Sequence, residues 1–150
     1  MPESVHESVD LAASPEEVWG KLMDPAFLDE WVSAHREILE MPELPLGEGS
    51  TFTQKLGVGP VKFKVEWEVL EANKPELARW RGCGPGGSEA QITYRLESDG
   101  NGGTRFRYEN DYELPGGVVG KTAGKAVGSA AGRHEARKSM KKLAVYFSSS

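Results

Sequence analysis

The residue types that most often carry catalysis are few in this chain and scattered. The three histidines, His6, His35 and His134, lack the spacing of a metal site. The sequence contains no GxSxG, HExxH or phosphate-loop motif, and its one cysteine, Cys83, has no histidine or aspartate beside it. We therefore expect no metal site and no cofactor, and we interpret Cys83 as an incidental thiol.

Four residues could supply general acid–base chemistry, which needs one or two groups with tuned pKa values inside a cavity. They are Glu7, His35, Tyr108 and Arg133. Each has an ordinary alternative: the first two could lie at a wet rim, the tyrosine could fill the core, and the arginine could reach solvent from a helix edge. An arginine that does point inward needs a carboxylate from the protein or a ligand, so Arg133 is the best candidate for an anion anchor.

Length and composition limit the class of protein. With 150 residues, 38% of them apolar and 27% charged, the chain suits one globular domain, and we expect a single domain over residues 1–150. A formal charge of −5 makes nucleic-acid binding a poor hypothesis. The chain has neither an apolar leader segment nor a run near the ~18 apolar residues of a membrane span. We expect a cytoplasmic protein with no stable membrane insertion, and the sequence does not indicate its oligomeric state.

The first third of the chain predicts a strand and two short helices. Apolar residues alternate with polar ones over residues 4–11, as in a strand with one partly apolar face. The sequence SPEE at residues 14–17 then begins a helix, with a serine cap, a proline at the first helical position and a glutamate three residues after the cap. The pair DP at residues 24–25 repeats the start signal and predicts a second short helix through Trp31.

From about residue 36 the apolar residues recur with a period of two, which predicts six strands. The clearest is VKFKVEWEV, residues 61–69, with one apolar and one charged face. Another strand begins near residue 36, and the remaining four cover residues 51–56, 77–81, 89–96 and 105–114. Strands with one apolar face build an antiparallel sheet with one dry side, and the short polar segments between them fit hairpin turns.

The C-terminal helix is predicted in two unequal halves. Ala136, Met140, Leu143 and Phe147 have the three- and four-residue spacing of one apolar helix face. Residues 116–132 contain six glycines, and each interior glycine costs a helix roughly 1 kcal/mol against alanine. The glycine-rich half is therefore helical only if packing holds it.

The inner face of the predicted sheet carries wide aromatic side chains together with a few hydrogen-bonding groups. The opposing helix offers small and polar residues instead of bulky aliphatic ones. This combination predicts a pocket with a few orienting groups, the alternative being a filled core whose polar groups are paired internally. The candidate ligand-binding residues are Trp31, Gln54, Trp67, Trp80, Tyr94, Tyr108, Asn110, Tyr112 and Arg133.

Residues 5–32 resemble the opening of the START-like (SRPBCC) superfamily, which includes polyketide cyclase/dehydrase-type and birch-pollen-allergen-like proteins. The resemblance lies in SPEEVW at residues 14–19, DP at residues 24–25 and Trp31. It continues with GEGS at residues 47–50, EANKP at residues 71–75 and the end of the last helix, and so covers nearly the whole chain.

The resemblance implies an α+β helix-grip fold. In that fold a seven-stranded curved antiparallel sheet surrounds a long C-terminal helix, two short helices follow strand 1, and a hydrophobic cavity lies between sheet and helix. Known members bind lipids, sterols, polyketides or hormones, and some catalyse cyclisation or dehydration. The fold alone therefore does not determine which of these activities a member has. We expect binding or transport of a hydrophobic small-molecule ligand. The alternatives are a polyketide cyclase/dehydrase-like enzyme that uses acid–base groups in the same cavity, and a ligand-free protein-interaction module.

Overall fold

The computed structural model describes residues 3–40, 43, 46–58, 61–113 and 129–148. The helices are α1 (Pro15–Leu22), α2 (Leu28–Trp31) and α3 (Ser129–Tyr146), and short 3₁₀ turns cover Pro25–Phe27 and Pro85–Gly87. The strands are β1 (Glu3–Leu11), β2 (His35–Glu40), β3 (Thr51–Val58), β4 (Val61–Asn73), β5 (Leu77–Cys83), β6 (Glu89–Ser98) and β7 (Thr104–Glu113).

The described strands form one seven-stranded sheet in the order β1-β7-β6-β5-β4-β3-β2, and every neighbouring pair is antiparallel. Strands β2 to β7 follow one another as a meander, and β1 joins the far side of β7 with Glu7 opposite Tyr108. Register shifts in the β2–β3 and β4–β5 pairs bend the sheet locally, as bulges do. The predicted fold, a curved antiparallel sheet with two short helices after strand 1 and a C-terminal helix, is confirmed.

The start of α1 follows the capping signal in the sequence. The Ser14 hydroxyl accepts a hydrogen bond from the backbone N–H of Glu17 at 3.2 Å, which satisfies one of the free donors at the helix start. Asp24 caps the following 3₁₀ turn in the same way, accepting from the N–H of Ala26 at 3.0 Å. This second cap separates α1 from α2, and Trp31 at the end of α2 is brought into the interior with 2% of its surface exposed.

Helix α3 packs against β1 and α2 on the concave side of the sheet. Its buried face includes Ala136, Met140, Leu143 and Phe147, as their spacing predicts. The glycine-rich segment at residues 116–128 lies outside the described residues. None of the helices in the described ranges is long and apolar enough to cross a membrane.

The interior is filled at the end of the sheet that α1 covers. Val18, Leu96, Phe106 and Leu143 are buried there with at most 3% of their surface exposed. The rings of Trp31 and Tyr94 pack edge-on against Phe106, with centroids 6.1 and 5.3 Å away. The cavity begins beside this packed region, where Leu22 and Trp31 line it, and extends towards the connection between β5 and β6.

Candidate functional site

A cavity of about 210 Å³ lies between the concave face of the sheet and α3. It is larger than the ~150 Å³ engineered cavity that binds benzene and smaller than the usual ~300–1,000 Å³ of drug-sized pockets. Its lining reaches the β5–β6 connection, where Gly84 and Ser88 are half-buried. The space suits one small apolar molecule or part of a longer one.

Most of the wall is apolar. Leu28 contributes from α2, Phe52, Val65 and Ile92 from the sheet, and Met140 from α3. On β5, Gly82 leaves space for the indole ring of Trp67, because an added Cβ at this position would lie 2.5 Å from Cζ3 of that ring. The indole ring thus lies over a position that has no side chain, and the wall is shaped by this contact.

Seven of the nine candidate residues from the sequence line this one cavity. They are Trp31, Gln54, Trp67, Trp80, Tyr94, Tyr108 and Asn110. Tyr112 is paired through its backbone with Glu3 and Ala90, but its side chain lies outside the described part of the structure.

Arg133 is exposed and is not among the described lining residues, which favours the alternative in which its side chain reaches solvent from the helix edge over the anion-anchor role. It lies two turns before Met140, on nearly the same side of the helix as that buried residue. A long side chain at this position reaches water, which avoids the cost of burying an unpaired charge.

Gln54 is the polar centre of the sheet wall, with 4% of its surface exposed. Nε1 of Trp67 donates to Oε1 of Gln54 at 2.9 Å, and Nε2 of Gln54 lies 2.8 Å from Nδ1 of His35. Because an indole N–H can only donate, the amide oxygen faces Trp67 and the amide nitrogen donates to the imidazole. Nδ1 of His35 therefore accepts, and the neutral ring carries its proton on Nε2.

Burial lowers the pKa of His35 below its ordinary value; nearby Asp29 opposes the shift and Arg36 reinforces it. The imidazole accordingly stays neutral and remains a good acceptor for Gln54. His35 itself is not among the lining residues, so it acts on the cavity through Gln54.

A second polar group lies on β7, where Nδ2 of Asn110 donates to the hydroxyl of Tyr108 at 3.3 Å. Oδ1 of Asn110 is buried without a hydrogen-bond partner among the described residues, as are the indole nitrogens of Trp31 and Trp80. Buried polar atoms are normally paired, so these three are places where water or a ligand can complete the bonding. Burial, reinforced by Tyr108, raises the pKa of Tyr94, which keeps that phenol protonated.

A polar cluster joins α3 to the α2–β2 connection, and it was not predicted from the sequence. The backbone N–H of Ser33 donates to the Ser139 hydroxyl at 3.0 Å, and that hydroxyl donates to the Glu135 carbonyl at 3.0 Å. The Ser33 hydroxyl lies within hydrogen-bond distance of both the carbonyl and the carboxylate of Glu135. Glu135 and Ser139 also line the cavity, and their four-residue spacing beside the Ala136–Met140 pair was the signal that could have indicated them.

Of the four acid–base candidates, Tyr108 is the one that belongs to the described lining of the cavity. Glu7 pairs with the Arg137 guanidinium, with Oε2 3.6 Å from Nε. The described residues hold no cluster of three or more side chains suited to a metal ion. Cys83 and His134 are both exposed.

The order of elements and the cavity under α3 define a helix-grip protein of the START-like class. The sequence model of the family described as "Polyketide cyclase / dehydrase and lipid transport" matches residues 2–147, and the chain belongs to that family.

Individual proteins resemble the chain in sequence or in fold. The chain is 27% identical over 146 residues to Rv1546, an uncharacterized protein of Mycobacterium tuberculosis, covering 96% of this chain and 98% of that one. The structure of TTHA0849 from Thermus thermophilus superposes with a TM-score of 0.75 at 20% identity, covering 98% of this chain and 99% of that chain. The structure of Ara h 8.0201 gives 0.66 at 12% identity with both chains fully covered. At such identities the two structures show a shared fold.

Proposed function

We propose that this protein binds one small hydrophobic molecule in the cavity between the sheet and α3. The observation that carries the proposal is the cavity itself, whose walls are mostly apolar and rich in aromatic side chains. An apolar guest that enters such a space removes its own surface and that of the walls from water, at about 25 cal/mol per Å². The family's description, which includes lipid transport, supports the same activity.

Two further features favour binding over a ligand-free interaction module. A module that acts through its surface gains nothing from a hollow interior, whereas protein cores otherwise pack as densely as organic crystals. The wall also carries a few polar groups at fixed positions, Gln54 on β3, Asn110 on β7 and Glu135 on α3. A mostly apolar pocket with a few placed polar groups is the usual form of a small-molecule site.

The first experiment is a titration followed by tryptophan fluorescence and by thermal unfolding. Trp31, Trp67 and Trp80 all line the cavity, so a guest should alter their emission. A ligand that binds only the folded state must also raise the melting temperature with its concentration. We expect naphthalene and 2-naphthol, whose fused rings suit an aromatic wall, to give saturable changes in both signals.

Filling the cavity gives a matched pair of variants. Ala136 lines the cavity and has 8% of its surface exposed, while Ala144 lies on the same helix and is not part of the lining. Ala136→Leu adds three carbons to the guest's space and should weaken binding by at least about tenfold, because overpacking forces neighbours to move. Ala144→Leu should leave the affinity unchanged. Equal affinities in the two variants, or no saturable signal in the wild type, would refute the proposal.

A further inference from the structure

We infer that the bound molecule carries a hydrogen-bond donor, a hydroxyl or ammonium group, and that Glu135 selects it against a carboxylate-bearing molecule of the same shape. This inference rests on the proposed binding function and names the ligand class for that site. It depends on which polar atoms of the wall still lack partners.

Glu135 lies in the wall contributed by α3, beside Ala136. Ser33 holds its carboxylate through Oε2, and the second oxygen, Oε1, has no partner among the described residues. The Ser33–Ser139 contacts fix the helix to the α2–β2 connection at the same point. The carboxylate is thus anchored by one oxygen, leaving the other to accept from a guest.

Asn110 provides a second acceptor on the sheet. Its Oδ1 is buried and unpartnered in the described structure, and its Nδ2 is engaged by the Tyr108 hydroxyl. A hydroxyl on the guest can donate to such an acceptor and can still accept from an indole N–H, which Trp31 and Trp80 both offer. A hydroxyl therefore satisfies more of the open wall atoms than a carboxylate, which accepts only.

The charges in the wall also favour a ligand with a hydrogen-bond donor over a ligand with a carboxylate. The other carboxylate in the lining, Glu89, is exposed and lies 2.9 Å from Nη2 of Arg81, so its charge is paired. Glu135 has no cationic partner among the described side chains. A ligand carboxylate placed near it meets a like charge in surroundings partly shielded from water, where such repulsion is stronger than in solution. A donor meets a charge-assisted acceptor, which is the stronger class of hydrogen bond.

The test compares four probes with one ring system at pH 7: naphthalene, 2-naphthol, 2-naphthylmethylammonium and 2-naphthoate. Dissociation constants come from tryptophan fluorescence of the full chain. We expect both donor probes to bind about tenfold more tightly than 2-naphthoate, the size of effect that a hydrogen bond to a charged group produces. The hydroxyl and ammonium arms separate a neutral ligand from a cationic one.

Three variants, one of them a control, assign the selectivity to particular residues. Glu135→Gln keeps an oxygen for Ser33 but removes the charge, and it should bring 2-naphthol and 2-naphthoate to within about threefold of each other. Glu30→Gln removes the same charge from the exposed face of α2, outside the lining, and should leave the ratio as in the wild type. Asn110→Leu, with Glu135 intact, should weaken 2-naphthol relative to naphthalene by at least about threefold.

The outcomes separate the two claims. If 2-naphthoate binds the wild type as tightly as 2-naphthol, or if Glu135→Gln leaves their ratio unchanged, the inference is overturned while hydrophobic binding stands. If no probe binds, the proposed function fails and the inference fails with it. Tenfold selectivity that Glu135→Gln abolishes and Glu30→Gln preserves establishes the donor-bearing ligand class.

Discussion

At the scale of residues, Gln54 organises the polar side of the cavity. Its amide can be oriented in one way only, because Trp67 must donate and the amide nitrogen must then face His35. Alternation along β3 was enough to place Gln54 on the inner face. Its pairing could not be read from the sequence, since it depends on the β2–β3 register, which shifts between His35 and Glu37.

The first prediction concerns His35 and pH. Burial lowers its pKa below the ordinary 6.5, so as pH falls below that value the unfolded chain takes up a proton before the folded one. The contribution of this residue to stability is therefore complete above pH 6.5, and it is lost progressively as pH falls towards the lower pKa of the folded state.

Urea unfolding of the wild type and of His35→Gln, at intervals from about pH 8 to pH 5, measures this effect. The wild type should lose more stability than the variant across the acidic half of that range. Asp10, whose pKa Arg105 lowers through a hydrogen bond, titrates at more acidic pH and is present in both proteins. If the two proteins lose the same free energy of unfolding as the pH falls, burial does not lower the pKa of His35 in the folded protein.

At the scale of elements, the strand pair β4–β5 shapes the wall. Trp67 on β4 lies opposite Gly82 on β5, and the missing side chain lets the indole cover that strand. A cross-strand pair of this kind fixes where the largest side chain of the wall lies.

The second prediction follows from that contact. Gly82→Ala places a Cβ 2.5 Å from Cζ3 of Trp67, so the ring must move, and we expect a loss of about 1–3 kcal/mol in the free energy of unfolding. The matched control is Gly20→Ala in α1, where an added Cβ meets nothing within 4 Å. That change should stabilise the protein by up to about 1 kcal/mol, since alanine is the better helix former. Denaturant unfolding compares the two, and a Gly82→Ala protein as stable as the wild type would contradict this account of the contact.

How much the sequence reveals differs between sheet and helix. In a strand the period of two fixes which side chains share a face, so Gln54, Trp67, Tyr94 and Asn110 could be grouped correctly without coordinates. In α3 the lining spans a wide arc, and a position's depth depends on how the helix is placed over the sheet. The prediction therefore included Arg133, which is exposed, and omitted Glu135, which lines the cavity.

At the scale of the whole molecule, the fold places a packed core beside a cavity. Phe106 and Leu143 are completely buried at the end near α1, which supplies the packed core. The outer face of the sheet carries exposed ion pairs such as Arg105–Asp10, at 2.9 Å, and such pairs contribute little to stability. The buried core and the cavity share wall residues such as Trp31 and Tyr94, so the packing that stabilises the fold also bounds the proposed binding site.

Native mass spectrometry of the protein purified from its own host tests the central claim, hydrophobic binding in the cavity, most directly. We expect a species heavier than the bare chain by the mass of one small molecule. That species should disappear on denaturation and should be absent from Ala136→Leu. A mass equal to that of the bare chain, unchanged after incubation with 2-naphthol, would contradict a binding role for the cavity.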